Sequence, residues 1–194
     1  MRILAASIAL AALAGCATTT RRVAAPADLF FANLSALCGK AYGGRMVSQD
    51  AADSDMAGKA LVMHVRECSA DTIRIPFHVG DDRSRTWVVT RTAQGLRLKH
   101  DHRHRDGSAD ELSQYGGDTA APGTATRQEF PTDAFTRQLF RHAGITASLE
   151  NVWAVDAVPG RLFAYELRRP QRFFRVEFDL SQPVQPPPPP WGAR

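Results

Sequence analysis

The residues best suited to chemistry lie in one stretch, Gly95-Leu96-Arg97-Leu98-Lys99-His100-Asp101-His102-Arg103-His104-Arg105, where three imidazoles recur at every second position. Imidazole exchanges protons near neutral pH and ligates borderline metals. Successive side chains of a strand point to opposite faces. Leu96, Leu98, His100, His102 and His104 therefore fall on one face, and Arg97, Lys99, Asp101, Arg103 and Arg105 on the other. The wholly charged face is expected to meet water. The opposite face starts apolar and becomes imidazole-lined, as a strand would that runs from a packed core into the polar mouth of a cavity. At a rise of about 3.3 Å per residue, His100 and His102 stand about 6.6 Å apart, and His100 and His104 about 13 Å. A neighbouring pair can share an ion such as zinc at about 2.0 to 2.1 Å. Three ligands on one straight strand cannot easily do so, and a further one would have to come from His64, His78 or Asp118. The alternative needs no metal or cofactor: the histidines line a solvated strand end and hydrogen-bond to carboxylates. If the mouth takes a small ligand instead of an ion, the candidate contacts are His100, His102, Arg91, Tyr115 and Asp118.

Enzymatic signatures are sparse. The chain has no G-x-S-x-G, H-E-x-x-H, P-loop or G-x-G-x-x-G, and no spacing of Ser, His and Asp marks a triad, so no catalytic residue is assigned. Residues 106 to 123 are rich in Gly, Ser, Asp and Pro and read as a long loop. Within it, Tyr115-Gly116-Gly117-Asp118-Thr119 has the composition of a flexible lid carrying an acid.

The 194 residues suit one domain. The formal net charge of +4 is spread among Asp and Glu with no Lys/Arg block, which argues against nucleic acid as a partner. The chain begins with a short positive start and an apolar run too short to span a bilayer permanently, ending in Leu13-Ala14-Gly15-Cys16. This ending resembles the lipobox of bacterial lipoproteins. The resemblance implies that residues 1–15 are a signal peptide and that Cys16, lipidated with palmitate-type acyl chains, is the first mature residue. Ala17 after it implies sorting to the outer membrane, facing the periplasm. Residues 16–25 then form the anchor and tether, 26–182 a single β-rich domain, and 183–194 a Pro-rich tail. In an oxidising compartment Cys38 and Cys68 are expected to form a disulfide, whose loop of about thirty residues corresponds to roughly 3 to 4 kcal/mol; two separate buried thiols are the alternative.

Pro26-Ala27-Asp28 opens a helix that Gly39 stops, and Pro131-Thr132-Asp133 is an N-cap signal for a second over Ala134 to His142. The remaining periodicity is that of short strands with turns every eight to twelve residues: 45–48, 60–68, 72–79, 86–92, the histidine strand, 124–130, 149–158, 161–168 and 173–180. Pro76, inside the third of these, predicts an edge or a bulge. The expected fold is mainly β, an antiparallel meander of about eight strands closed or half-closed into a small barrel, with two accessory helices, calycin-like in outline. From residue 30 to residue 191 the chain also resembles a group of uncharacterised proteobacterial secreted proteins and lipoproteins. The segments that carry this are Asp81 to Trp87, Leu98 to His104, Tyr115 to Thr119 and the closing Trp191-Gly192, and the resemblance implies an address without an activity.

Three readings of function follow. The first is a non-enzymatic envelope lipoprotein that binds a small ligand or an envelope component in a β cavity. The second is a metal-binding or metal-dependent hydrolytic site on the histidine strand. The third is a structural protein that binds a partner through Pro186 to Pro190, a polyproline II rod.

Overall fold

The computed structural model describes residues 24–193; the signal, Cys16 and most of the tether lie outside the described residues. A helix, α1 (Pro26–Ser35), leads into β1 (Ala41–Met46), a 3₁₀ turn (Ala51–Met56), β2 (Leu61–His64) and the two-residue β3 (Glu67–Cys68). Then come β4 (Thr72–Val79), β5 (Asp82–Thr92), β6 (Gly95–His102), β7 (Tyr115–Asp118) and β8 (Arg127–Pro131). The second helix, α2 (Ala134–His142), and a 3₁₀ turn (Thr146–Glu150) precede β9 (Val152–Val158), β10 (Leu162–Arg169) and β11 (Arg172–Val184). Every pairing is antiparallel, in the order β7-β6-β5-β4-β2-β1-β11-β10-β9-β8, with β3 added to β4. The expected small barrel with accessory helices is the observed fold.

The barrel nearly closes where β7 approaches β8, and the first turn of α2 supplies the seam. Asp133 caps that helix through its side chain, and its own N–H donates to the Gly116 carbonyl at 3.0 Å. The Thr136 hydroxyl accepts from the Gly116 N–H at 2.7 Å and donates to the Gly116 carbonyl at 2.8 Å. Lys99 on β6 reaches the Asp133 carboxylate at 2.6 Å. Tyr115 to Asp118, read from its glycines as a lid, is thus a strand. A Cβ on Gly117 would stand 1.7 Å from the Pro131 carbonyl oxygen, and one on Gly116 1.9 Å from that of Leu98. Close approach of backbones, not flexibility, requires glycine here. Gly44 lies in β1 for a similar reason: a Cβ there would meet the Phe178 ring at 2.5 Å.

The nine segments read as strands become eleven because Tyr115–Asp118 forms β7 and residues 60–68 divide into β2 and β3. Pro76 is neither at a free edge nor in a bulge. It pairs with Thr86 on one side, and on the other it faces the gap between β2 and β3, where no ladder needs its missing N–H. Residues 149 to 151 belong to the approach to β9 rather than to the strand itself, and β11 continues through Val184 to pair with Ala41.

One end of the barrel is plugged. Phe30, Phe31 and Leu34 of α1 are buried in the core, while Leu29 is 43% exposed. Asn33 bonds the Ala125 carbonyl at 2.8 Å. The Cys38–Cys68 disulfide, with Cα atoms 6.3 Å apart, ties the chain beyond this helix to β3. Arg91, near the end of β5, pairs with Asp28 and lies 4.2 Å over the Phe31 ring.

Outside, the strands carry ion-pair ladders. Arg127 meets Asp156 and Glu166, and Arg175 bridges the same two acids. The face of β6 expected to meet water is partly covered: Asp101 is buried between Arg74 (2.5 Å) and Arg103 (2.8 Å). The tail folds back beside it, Arg83 donating to the Pro189 carbonyl at 3.0 Å and the Trp191 N–H to the Arg83 carbonyl at 3.1 Å. Among the described residues no helix is long and apolar enough to cross a membrane.

Candidate ligand-binding cavity

The other end of the barrel opens on a cavity of about 400 Å³, within the size range of small-molecule sites. The mouth is ringed by the 3₁₀ turn at Ala51–Met56, the loop that carries Asp110 and Leu112, the segment Ile145 to Asn151 and the β10–β11 turn. Its walls are aromatic because the alternation of five strands aims large rings inward. Phe77 of β4 stacks on Trp87 of β5 at 4.8 Å between centroids, and Trp87 stacks on Tyr165 of β10 at 4.4 Å. Beside them, Tyr115 of β7 lies 5.6 Å from Trp153 of β9 and 5.5 Å from Phe140 of α2. Offset ring contacts of this kind hold the walls in place independently of any occupant.

The floor is polar. His100 is 2% exposed and stacks on Tyr115 at 4.4 Å. Its Nδ1 lies 3.1 Å from the Tyr115 carbonyl and its Nε2 2.7 Å from the Tyr165 hydroxyl. A carbonyl only accepts, so Nδ1 carries the proton and Nε2 accepts from Tyr165. The neutral imidazole is therefore fully satisfied. Desolvation, with help from the neighbouring His102, pushes its pKa down to about 3. His102, half-buried, meets the Tyr115 hydroxyl at 3.2 Å through Nε2. Burial and then the Arg85 guanidinium hold it at about 4. Burial drives both phenols, Tyr115 and Tyr165, upward. At neutral pH the floor thus consists of two neutral imidazoles and two protonated phenols, which can donate and accept hydrogen bonds without placing a charge inside.

Charge is confined to the rim. Arg85 pairs with Asp82. Arg172 pairs with Asp53, and with Asp50 at 3.1 Å. Asp110 accepts from the Leu112 N–H at 2.7 Å and lies 3.9 Å from His104. Arg169 donates to the Asn151 side-chain oxygen at 3.1 Å.

Of the residues chosen from sequence, the structure brings His100, His102 and Tyr115 together in the cavity. Arg91 is at the plugged end, and Asp118 forms an exposed two-pronged pair with Arg97 at 2.6 and 2.9 Å. His104 has left the shared face: β6 ends at His102, the chain turns through Gly107, and His104 is exposed. Among the described residues no group of three or more His, Cys, Asp and Glu side chains is placed to hold a metal ion. The histidine pair offers little on its own, because both nitrogens of His100 are already bonded and the two rings stand 6.5 Å apart. His78 faces away from the cavity, near Pro187 and Pro188, with its Nε2 lacking a partner.

Sequence reasoning missed Trp87, Trp153, Phe140, Asn151 and Arg169 as cavity residues. A signal existed for Arg169. The inward alternation Phe163, Tyr165, Leu167 continues to it, and Leu167 pairs with Trp153.

Fold and cavity define the class: a small antiparallel barrel, plugged by a helix at one end and open at the other onto an aromatic cavity with an uncharged polar floor. No family model matches the chain, and no curated protein or solved structure is significantly similar to it.

Proposed function

We propose that this chain is a non-enzymatic cell-envelope lipoprotein, anchored through Cys16 in the outer membrane and facing the periplasm, that binds a small ligand with a flat apolar body in the open end of its barrel. The observation that carries the reading is that the stack Phe77–Trp87–Tyr165 and the pair Tyr115–Trp153 line one open cavity. Aromatic faces of this kind give a flat ligand dispersion contact, and the neutral floor avoids the cost of facing a buried charge with apolar surface. Export is supported separately by the disulfide, since such bonds persist in oxidising compartments. The outward ion-pair ladders fit a barrel that stands in water beside a membrane rather than within it.

The test uses 2-naphthalenemethanol as the probe. In a Trp191→Phe chain the two remaining tryptophans, Trp87 and Trp153, both line the cavity. Saturable one-site binding by calorimetry, accompanied by a change in their fluorescence, is expected. No saturable binding at any accessible concentration would end the aromatic-cavity reading. For the anchor, Cys16→Ser should move the protein from the membrane fraction to the soluble periplasm; an unchanged distribution would remove lipidation at Cys16.

A further inference from the structure

We infer that the ligand of this cavity carries a carboxylate, held at the rim by the Arg169 guanidinium together with the Asn151 side-chain amide. The inference rests on the cavity reading above and adds the ligand's chemical class and orientation.

The three rim arginines are not equivalent. Arg85 and Arg172 each have carboxylate partners within the protein. Among the described residues Arg169 meets no carboxylate; it is half-buried and its partner is the neutral Asn151 oxygen. A guanidinium has five N–H donors in a planar fork and no acceptor. One bond to an amide leaves most of that fork, and all of its charge, available.

The same bond fixes the amide. Arginine can only donate, so Asn151 must turn its oxygen toward Arg169, which leaves the Nδ2 donors without an acceptor among the described residues. Asn151 is 5% exposed and lines the cavity. Its backbone is tied down as well: its N–H donates to the Ser148 carbonyl and its carbonyl accepts from Thr132. The rim therefore presents two adjacent donor groups with unused capacity, one of them cationic, on a fixed scaffold. The group that matches both is a planar, two-oxygen anion.

The placement orients the rest of the molecule. Leu167 pairs with Trp153 and Arg168 with Val152, so Arg169 and Asn151 are the next step along the same two strands, one step outward from the rings. A carboxylate at the rim leaves its apolar body beside Trp153 and Tyr165, which line the cavity. Among the described residues Asp110, on the same rim, meets no arginine and accepts from the Leu112 N–H.

The experiment compares two probes of one skeleton, 2-naphthoate and 2-naphthalenemethanol, by calorimetry at pH 7.5 on the exported chain. A hydrogen-bonded ion contact of this kind is worth about 1.5 to 3 kcal/mol, roughly a ten- to hundredfold preference for the acid. Arg169→Gln should bring the ratio of the two affinities close to one. Arg169→Lys, which keeps the charge and loses the fork, should retain an intermediate preference. Thermal melts of both variants check that they are folded. Equal binding of the two probes by the native chain, or an acid preference that survives Arg169→Gln, would overturn the inference and leave the cavity reading standing, because the alcohol still binds. Failure of both probes would remove the cavity reading and this inference with it.

Discussion

The two ends of the barrel each hold an arginine beside an aromatic ring, and they differ in what completes it. At the closed end Arg91 lies over Phe31 and pairs with Asp28, both from the plugging helix, so charge and ring are satisfied within the chain. At the open end Arg169 stands one step from Trp153 and Leu167 and, among the described residues, meets a neutral amide and no carboxylate. The difference separates a contact that completes the fold from a contact left for something else. Similar residue types serve both ends; the partner decides the role.

The strongest way to break the comparison is to unplug the closed end. Phe30 is fully buried beneath α1, and Phe30→Ala should cost about 3 to 5 kcal/mol from lost burial and the cavity left behind. A urea melt measures it. A loss below about 1 kcal/mol would mean that α1 is not an integral plug. Reduction of Cys38–Cys68 tests the same end with a smaller expected loss of about 3 kcal/mol, read as the difference between melts with and without reductant.

Acid should act through the imidazoles of the open end and of the outer wall. His100 at about 3, His102 at about 4 and His78 at about 4 all lie below the ordinary 6.5, each first because burial disfavours the charged ring. A depressed histidine pKa means that the unfolded chain binds more protons between the two values. The stability these groups contribute is complete above about pH 6.5 and is lost as the pH falls from there toward 4 and 3. The carboxylates held low by cationic partners, such as Asp101 beside Arg103 and Arg74, join only below their ordinary value near 3.8. The interval from pH 6.5 to 5 therefore isolates the histidines. The urea midpoint should fall between pH 7 and pH 5, and His100→Gln should flatten that fall. A midpoint independent of pH over this interval would contradict a neutral buried His100.

Much of this was readable along single strands and little of it across them. Period-two alternation placed Leu96, Leu98 and His100 on one inward face, and it placed Phe163, Tyr165 and Leu167 on another. It failed where the strand stops: His104 keeps the right parity, but its N–H bonds to Ser108 around a turn and its side chain is exposed. Composition misread Gly116 and Gly117, because glycine marks both loose loops and backbones pressed together. Only the Leu98 and Pro131 carbonyls, 18 and 14 residues from those positions, tell the two apart. Asp101 looked solvated because its cover, Arg74 and the returning tail, is distant in sequence. The rim was illegible for the same reason: whether an arginine is neutralised depends on a partner that no local pattern names.

The smallest effects expected are on stability at the two arginines themselves, and they sharpen the comparison most. Arg91→Gln removes an exposed ion pair and a ring contact, a loss of about 0.5 to 1 kcal/mol, and should leave 2-naphthoate affinity unchanged because the residue lies at the opposite end from the cavity. Arg169→Gln removes no ion pair among the described residues and should leave the urea midpoint unchanged within error, while 2-naphthoate affinity falls at least tenfold. The two substitutions delete the same charge, so net charge cannot account for opposite results. Should Arg169→Gln destabilise the fold as much as Arg91→Gln does, the open-end arginine would be a structural contact like its counterpart, and the contrast between the two ends would collapse.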